Sequence, residues 1–147
     1  MANYCSNILK VKGDATELKH FLKRVKDEND KFTLHRLAPI PEEIKILENQ
    51  DNWKHENWGT SFICKDVFYS INETEVKINF ESAWAPPLLW IKYVAKFYDG
   101  LTFHLNYDEP GIGFKGSLNV KGMNMLETID VYFKTPKSLY ISKFENC

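Results

Sequence analysis

The stretch YCSNILKVKGDATELKHFLKRV, residues 4–25, decides the fold. Residues 4–11 alternate well enough to form a strand, with Ile8 and Leu9 at its apolar centre. Gly13 ends that strand. Asp14 is placed to cap a helix, and Glu17 stands three residues on, the spacing of a capping box. Leu18, Phe21, Leu22 and Val25 then recur at helical spacing and make one apolar face, while Lys19, His20, Lys23, Arg24 and Lys26 occupy much of the rest.

Reading outward, residues 27–31 form a polar turn, and Phe32-Thr33-Leu34 reads as a short second strand. Pro39 and Pro41 break the chain. Residues 42–47 suit one or two helical turns that start at the second proline. Residues 49–59 read as a polar loop carrying Trp53 and Trp58. Residues 67–71 and 76–80 are apolar segments around Asn72-Glu73-Thr74, a hairpin pattern. Pro86-Pro87 opens a second helix, because a helix start does not use the missing amide. Leu88, Ile91, Val94, Ala95 and Tyr98 give it a buried stripe, and Gly100 stops it. Residues 102–107 form a further strand, with Thr102, His104 and Asn106 opposite Phe103, Leu105 and Tyr107. Residues 114–121 and 128–134 have the same character; Pro136 halts the latter, and Leu139-Tyr140-Ile141 is a last apolar piece. This order predicts one α+β domain over residues 1–147 with a ferredoxin-like βαββαβ core. Two helices cover one face of a mostly antiparallel sheet. A Trp-rich insert spans about residues 38–62, and a C-terminal strand extension about 121–147.

Composition agrees with a single packed domain: 44% of residues are hydrophobic and 27% charged, too apolar for a disordered chain. The net charge of −1 gives no general affinity for nucleic acid or membrane, but it is unevenly spread. Residues 1–36 carry a local +3, residues 37–85 a local −5 and residues 86–147 a local +1. The acidic middle suits a basic partner. The N-terminal residues show neither the basic region nor the apolar run of a signal peptide, and no apolar stretch has the length of a membrane span. Cys5, Cys64 and Cys147 are odd in number and widely spaced, which favours reduced thiols and a cytoplasmic location.

Gly111-Ile112-Gly113-Phe114-Lys115-Gly116 satisfies G-x-G-x-x-G, yet a dinucleotide site needs a helix after the glycines, and Ser117-Leu118-Asn119-Val120 alternates like a strand. No cofactor is expected, and the glycines are assigned to a turn and a sheet bend. His20, His35, His55 and His104 show no paired metal spacing, so no metal is expected either. His55, next to Glu56, is the one candidate acid or base for an enzyme acting on a small substrate. The basic helix face and sheet aromatics are the candidate surface for a nucleic-acid-binding module. Trp53, Trp58, Trp84 and Trp90 sit beside prolines and a glycine; Trp58 and Trp84 are expected to be buried and to fix the insert. For partner binding the candidates are Glu42, Glu43, Glu48, Asp51, Trp53 and Glu56.

Several short motifs also match a known pattern. Met1-Ala2-Asn3-Tyr4-Cys5-Ser6-Asn7 resembles the start of the YubB-like ferredoxin-like family of phages and plasmids, which shows M-A-N-W-C there. Pro39-x-Pro41-Glu42-Glu43, Glu56-Asn57-Trp58-Gly59-Thr60, Phe80-x-Ser82-Ala83-Trp84-x-Pro86-Pro87 and Tyr107-x-Glu109-Pro110-Gly111-x-Gly113-Phe114-x-Gly116 resemble its later motifs, in order. The chain departs from the family after Thr60, where Ser61-Phe62-Ile63-Cys64 replaces a Trp-Asp pair, and its tail after Lys121 is individual. The resemblance implies a ferredoxin-like fold and a mobile-element origin; it supplies no catalytic residues. The expected function is therefore a non-catalytic accessory protein of a phage or other mobile element. It would bind a host protein or ribonucleoprotein stoichiometrically, with inhibition of a defence system such as a CRISPR effector as one form.

Overall fold

The computed structural model describes residues 3–69 and 71–132. In chain order these form β1 (Tyr4–Gly13), α1 (Ala15–Val25), α2 (Glu42–Lys45), α3 (Asp51–Asn57), β2 (Ile63–Tyr69), β3 (Glu75–Ala83), α4 (Leu88–Ala95), β4 (Leu101–Glu109), β5 (Phe114–Lys121) and β6 (Asn124–Val131). The strands make one sheet in the order β2-β3-β1-β4-β5-β6. Every neighbouring pair is antiparallel.

The periodicity of each segment fixes what it buries. Along β4, Leu101, Phe103, Leu105, Tyr107 and Glu109 are buried while Thr102, Asn106 and Asp108 are exposed, as alternation requires. Leu9 and Val11 of β1, Ile78 and Phe80 of β3, and Leu118 and Val120 of β5 share the core with these β4 residues. Helix α1 starts as its sequence specifies, with the Asp14 carboxylate accepting from the Glu17 N–H. It buries Leu18, Phe21 and Val25, and the Phe21 ring meets Phe103 edge-on at 5.4 Å. Helix α4 begins directly after Pro87 and buries Trp90, Ile91, Val94 and Ala95. No helix of the described residues is long and apolar enough to cross a membrane.

Five features differ from the sequence reading. Phe32-Thr33-Leu34 is not a strand; only an isolated bridge joins Phe32 to Lys26. Its polar groups are taken by side chains instead: the Phe32 N–H donates to Asp66 Oδ2 at 3.1 Å, and the Leu34 carbonyl accepts from the Trp90 indole at 2.8 Å. Residues 51–57 are helical, not loop, because the turn is built by Asn49, whose side chain accepts from the Asp51 N–H, and anchored by Trp53 packing edge-on against Trp58. The last described strand begins at Asn124, earlier than expected. Gly122, at φ +58°, supplies the positive φ that a two-residue hairpin loop needs after Lys121.

The fourth concerns the tryptophans. Trp58 is buried, as expected, but Trp84 is only half-buried, and Trp90 is the fully buried one. Of the thiols, Cys5 is free and buried, whereas Cys64 is disulfide-bonded, a departure from the expectation of reduced thiols. The end of the expected strand 128–134, the halt at Pro136, the piece at Leu139-Tyr140-Ile141 and Cys147 lie outside the described residues.

Trp90 combines a large buried volume with an indole bond to the Leu34 carbonyl. Trp90→Ala should therefore cost about 3–5 kcal/mol in a urea denaturation, with the cavity as the main cause. Trp58→Phe removes the N–H that serves Ala38 and part of the ring, leaving a smaller void than Trp90→Ala. It should cost about 1–3 kcal/mol, the penalty of an unpaired buried carbonyl. Equal losses for the two variants would contradict this assignment.

Candidate functional site

Two places collect the residues singled out by sequence: a buried seam at one end of the sheet, and the insert between α1 and β2. In the seam, Asn7 Nδ2 donates to Ser82 Oγ at 2.9 Å and to the Cys5 carbonyl at 3.0 Å. Ser82 Oγ donates in turn to the Ala85 carbonyl at 2.7 Å. The Trp84 N–H reaches the Asn3 carbonyl at 2.9 Å, with Trp84 at φ +67°. Glu109 is fully buried, and its two carboxylate oxygens accept from the N–H groups of Gly111 (3.0 Å) and Ile112 (2.8 Å). Burial raises the Glu109 pKa; these two N–H donors pull it partly back. Burial, reinforced by Glu109, pushes the Cys5 thiol up to about 12, so it stays protonated and is a poor nucleophile at neutral pH.

The glycine run has no helix behind it; strand β5 follows directly. Its glycines serve contact. A Cβ on Gly116 would stand 2.1 Å from the Thr128 carbonyl oxygen and 2.5 Å from Tyr107 Oη, and one on Gly111 would stand 2.5 Å from the Asn3 side chain. Among the described residues, no three His, Cys, Asp or Glu side chains gather as a metal site.

The insert is tied to this seam. Trp58 Nε1 donates to the Ala38 carbonyl at 3.0 Å, the Trp90 N–H donates to the Trp58 carbonyl at 3.2 Å, and Thr60 Oγ1 donates to the Ala83 carbonyl at 2.8 Å. Gly59, at φ +92°, lies so close to Pro86 that a Cβ would meet its carbonyl oxygen at 3.1 Å. Beyond this base the insert turns outward. Glu42, Glu43, Glu48, Asp51 and Glu56 are all exposed. Glu42 pairs with Lys45 at 3.2 Å, an exposed pair of small energetic weight. Trp53 is half-buried against Trp58, so it anchors the insert and does not share the exposure of the carboxylates.

The sequence reading missed Ile46 and Leu47. Ile46 is 82% exposed, the most exposed of the large apolar residues among the described residues. Their signal was two apolar residues following a short helix with no matching stripe to bury them. His55 and Glu56 are exposed on α3, and the neighbouring cleft of about 150 Å³, lined by Ala38, Pro39, Trp53, Asn57 and Tyr93, includes neither. His35 is structural: its Nδ1 accepts from the Ile40 N–H at 3.2 Å, and burial followed by the Lys45 charge lowers its pKa, keeping the ring neutral. His20 is exposed, and His104 is half-buried between Asn119 and Asn106 on the sheet face away from the helices.

The chain carries a ferredoxin-like α+β domain: the family model for the ferredoxin-like domain in Api92-like protein matches residues 65–136. Among solved structures, the chain is similar to that of a protein api92 from Yersinia pseudotuberculosis. The TM-score is 0.72 at 7% identity, covering 92% of this chain and 100% of that one, a likeness of fold alone. No curated protein matches the chain.

The buried Glu109 makes a pH-dependent prediction. Its folded pKa is raised, so its contribution is most favourable below the ordinary carboxylate range and is lost as pH rises through the raised value. Relative to Glu109→Gln, the native chain should lose stability as pH rises from the ordinary carboxylate range through the raised value, read as a falling difference in urea midpoints. A difference that stays constant with pH would refute the assignment.

Proposed function

We propose that this protein acts by stoichiometric binding, with no catalytic step, and that the insert between α1 and β2 is its docking surface. The observation that carries this reading is Ile46, left 82% exposed on a segment that also exposes Glu42, Glu43, Glu48 and Asp51. An apolar anchor among carboxylates suits a basic patch with an apolar pocket. The rigid base formed by Trp58, Gly59 and Thr60 supports the same reading, because a surface held in place loses less entropy on binding. We read β1-α1-β2-β3-α4-β4 as the βαββαβ unit, with the Trp-rich insert and the β5–β6 extension as additions to it. The resemblance to the YubB-like family favours a phage or mobile-element origin. The partner class is a cytoplasmic host protein or ribonucleoprotein; a defence effector of the CRISPR kind presents such basic surfaces.

The test is affinity capture from host lysate with the partner quantified by mass spectrometry. Lysine at Glu42, Glu43, Glu48 and Asp51 together, or Ile46→Asp alone, should abolish capture of the partner while the melting curve is kept. His55→Ala should capture normally. Truncating one side of a desolvated charge pair costs about 2–5 kcal/mol, so even single reversals should weaken capture measurably. Loss of activity in a folded His55→Ala chain, with the reversals silent, would replace this reading by the small-substrate enzyme centred on His55 and Glu56. Salt-dependent binding of RNA or DNA through the Lys19, Lys23 and Arg24 face would replace it by the nucleic-acid module.

A further inference from the structure

The chain has two arginines, Arg24 and Arg36, and both line one cleft of about 480 Å³ beside α1 and α4. They reach it from different places. Arg24 lies in the last turn of α1. Arg36 follows the irregular Phe32–Leu34 segment, and its Nη1 donates to the carbonyls of Lys23 (3.1 Å) and Lys26 (2.5 Å) at the end of the same helix. That bond pattern holds the Arg36 guanidinium in position while its Nε and Nη2 donors have no hydrogen bond among the described residues. Arg24 has neither a hydrogen bond nor an ion pair there: the five ion pairs of the described residues all use lysine. Glu17 is the single carboxylate in the lining, so the cleft keeps an excess of positive charge.

The other walls suit a ring. Tyr98 is buried, and its hydroxyl is fixed to His20 Nδ1 at 2.8 Å. Phe97, 64% exposed, and Val94 give an apolar side. Binding clefts for small molecules are of this size and kind, mostly apolar with a few convergent polar groups. The planar guanidinium fork matches carboxylate and phosphate oxygens two at a time.

We propose that this cleft binds a small organic anion, a carboxylate or phosphate carried on an aromatic ring, with Arg24 and Arg36 holding the anionic group and Phe97 the ring. The proposal does not rest on the docking role given to the insert. It is tested by titrating the isotope-labelled full chain with phenyl phosphate, with benzoate and with neutral benzyl alcohol, following amide shifts. At least one anion should give saturable shifts confined to the ends of α1 and α4 and to residues near Arg36, and benzyl alcohol none. Whichever anion binds more tightly identifies the headgroup. Arg24→Gln should weaken binding about tenfold or more, the loss of one charge-assisted contact. Arg24 is the arginine to change because it caps nothing, so the fold is kept. Phe97→Ala should weaken binding less. Absence of saturable shifts with both anions, or binding that Arg24→Gln leaves unchanged, would overturn the proposal.

Discussion

Two indole hydrogen bonds organise this domain's irregular part: Trp90 of α4 holds the Leu34 carbonyl, and Trp58 at the end of the insert holds the Ala38 carbonyl at its start. Residues 32–38 leave α1 without joining the sheet, yet Phe32, Leu34 and Ala38 are buried. Buried carbonyls without partners cost more than the bonds themselves contribute, so a segment like this one is stable only if something reaches it. A tryptophan suits that role, since it supplies a large apolar body and one donor at its edge. Phe32 packs edge-on beside this segment, meeting Phe80 at 4.8 Å and Trp90 at 5.6 Å. From that lock follow the direction of the insert, the end of α1 and the position of Arg36.

What could be read from the chain alone tracks local periodicity. The Asp14 cap of α1, the alternation of β4, the residues of β5 and the Asn72 turn, whose side chain accepts from the Thr74 and Glu75 N–H groups, are all written in neighbouring residues. Misread segments are those whose partners lie far away in sequence. Phe32-Thr33-Leu34 has strand composition, but Asp66 and Trp90 claim its backbone before a strand can. Helix α3 buries no residue fully and shows no stripe, so nothing in residues 49–59 announces it. The exposed carboxylates of the insert were readable as charge. The exposure of Ile46 was not, because an apolar residue declares its surroundings only once the fold is known.

The short motifs that make the chain look familiar are divided: Glu42, Glu43 and Glu56 are exposed, while another part lies at or near the interior. Asn7, Ser82 and Glu109 lie towards one end of the sheet, and their side chains bond to one another or to nearby backbone. Residues committed in this way define a scaffold. They explain why a likeness in motifs, or a likeness in fold at 7% identity, carries the architecture and leaves the surface to be read from its own chemistry.

The base of the insert is closed by a bond between Trp58 and Ala38, so the two ends of the intervening chain are stapled side by side on the core. For a segment tethered in this manner, the entropy of closure depends only weakly on length: doubling it adds about 0.6 kcal/mol. The scaffold is thus indifferent to what is strung between its two attachment points. The region behaves as an exchangeable cassette, in which loops of other lengths and charges can be carried by the same domain at little thermodynamic expense.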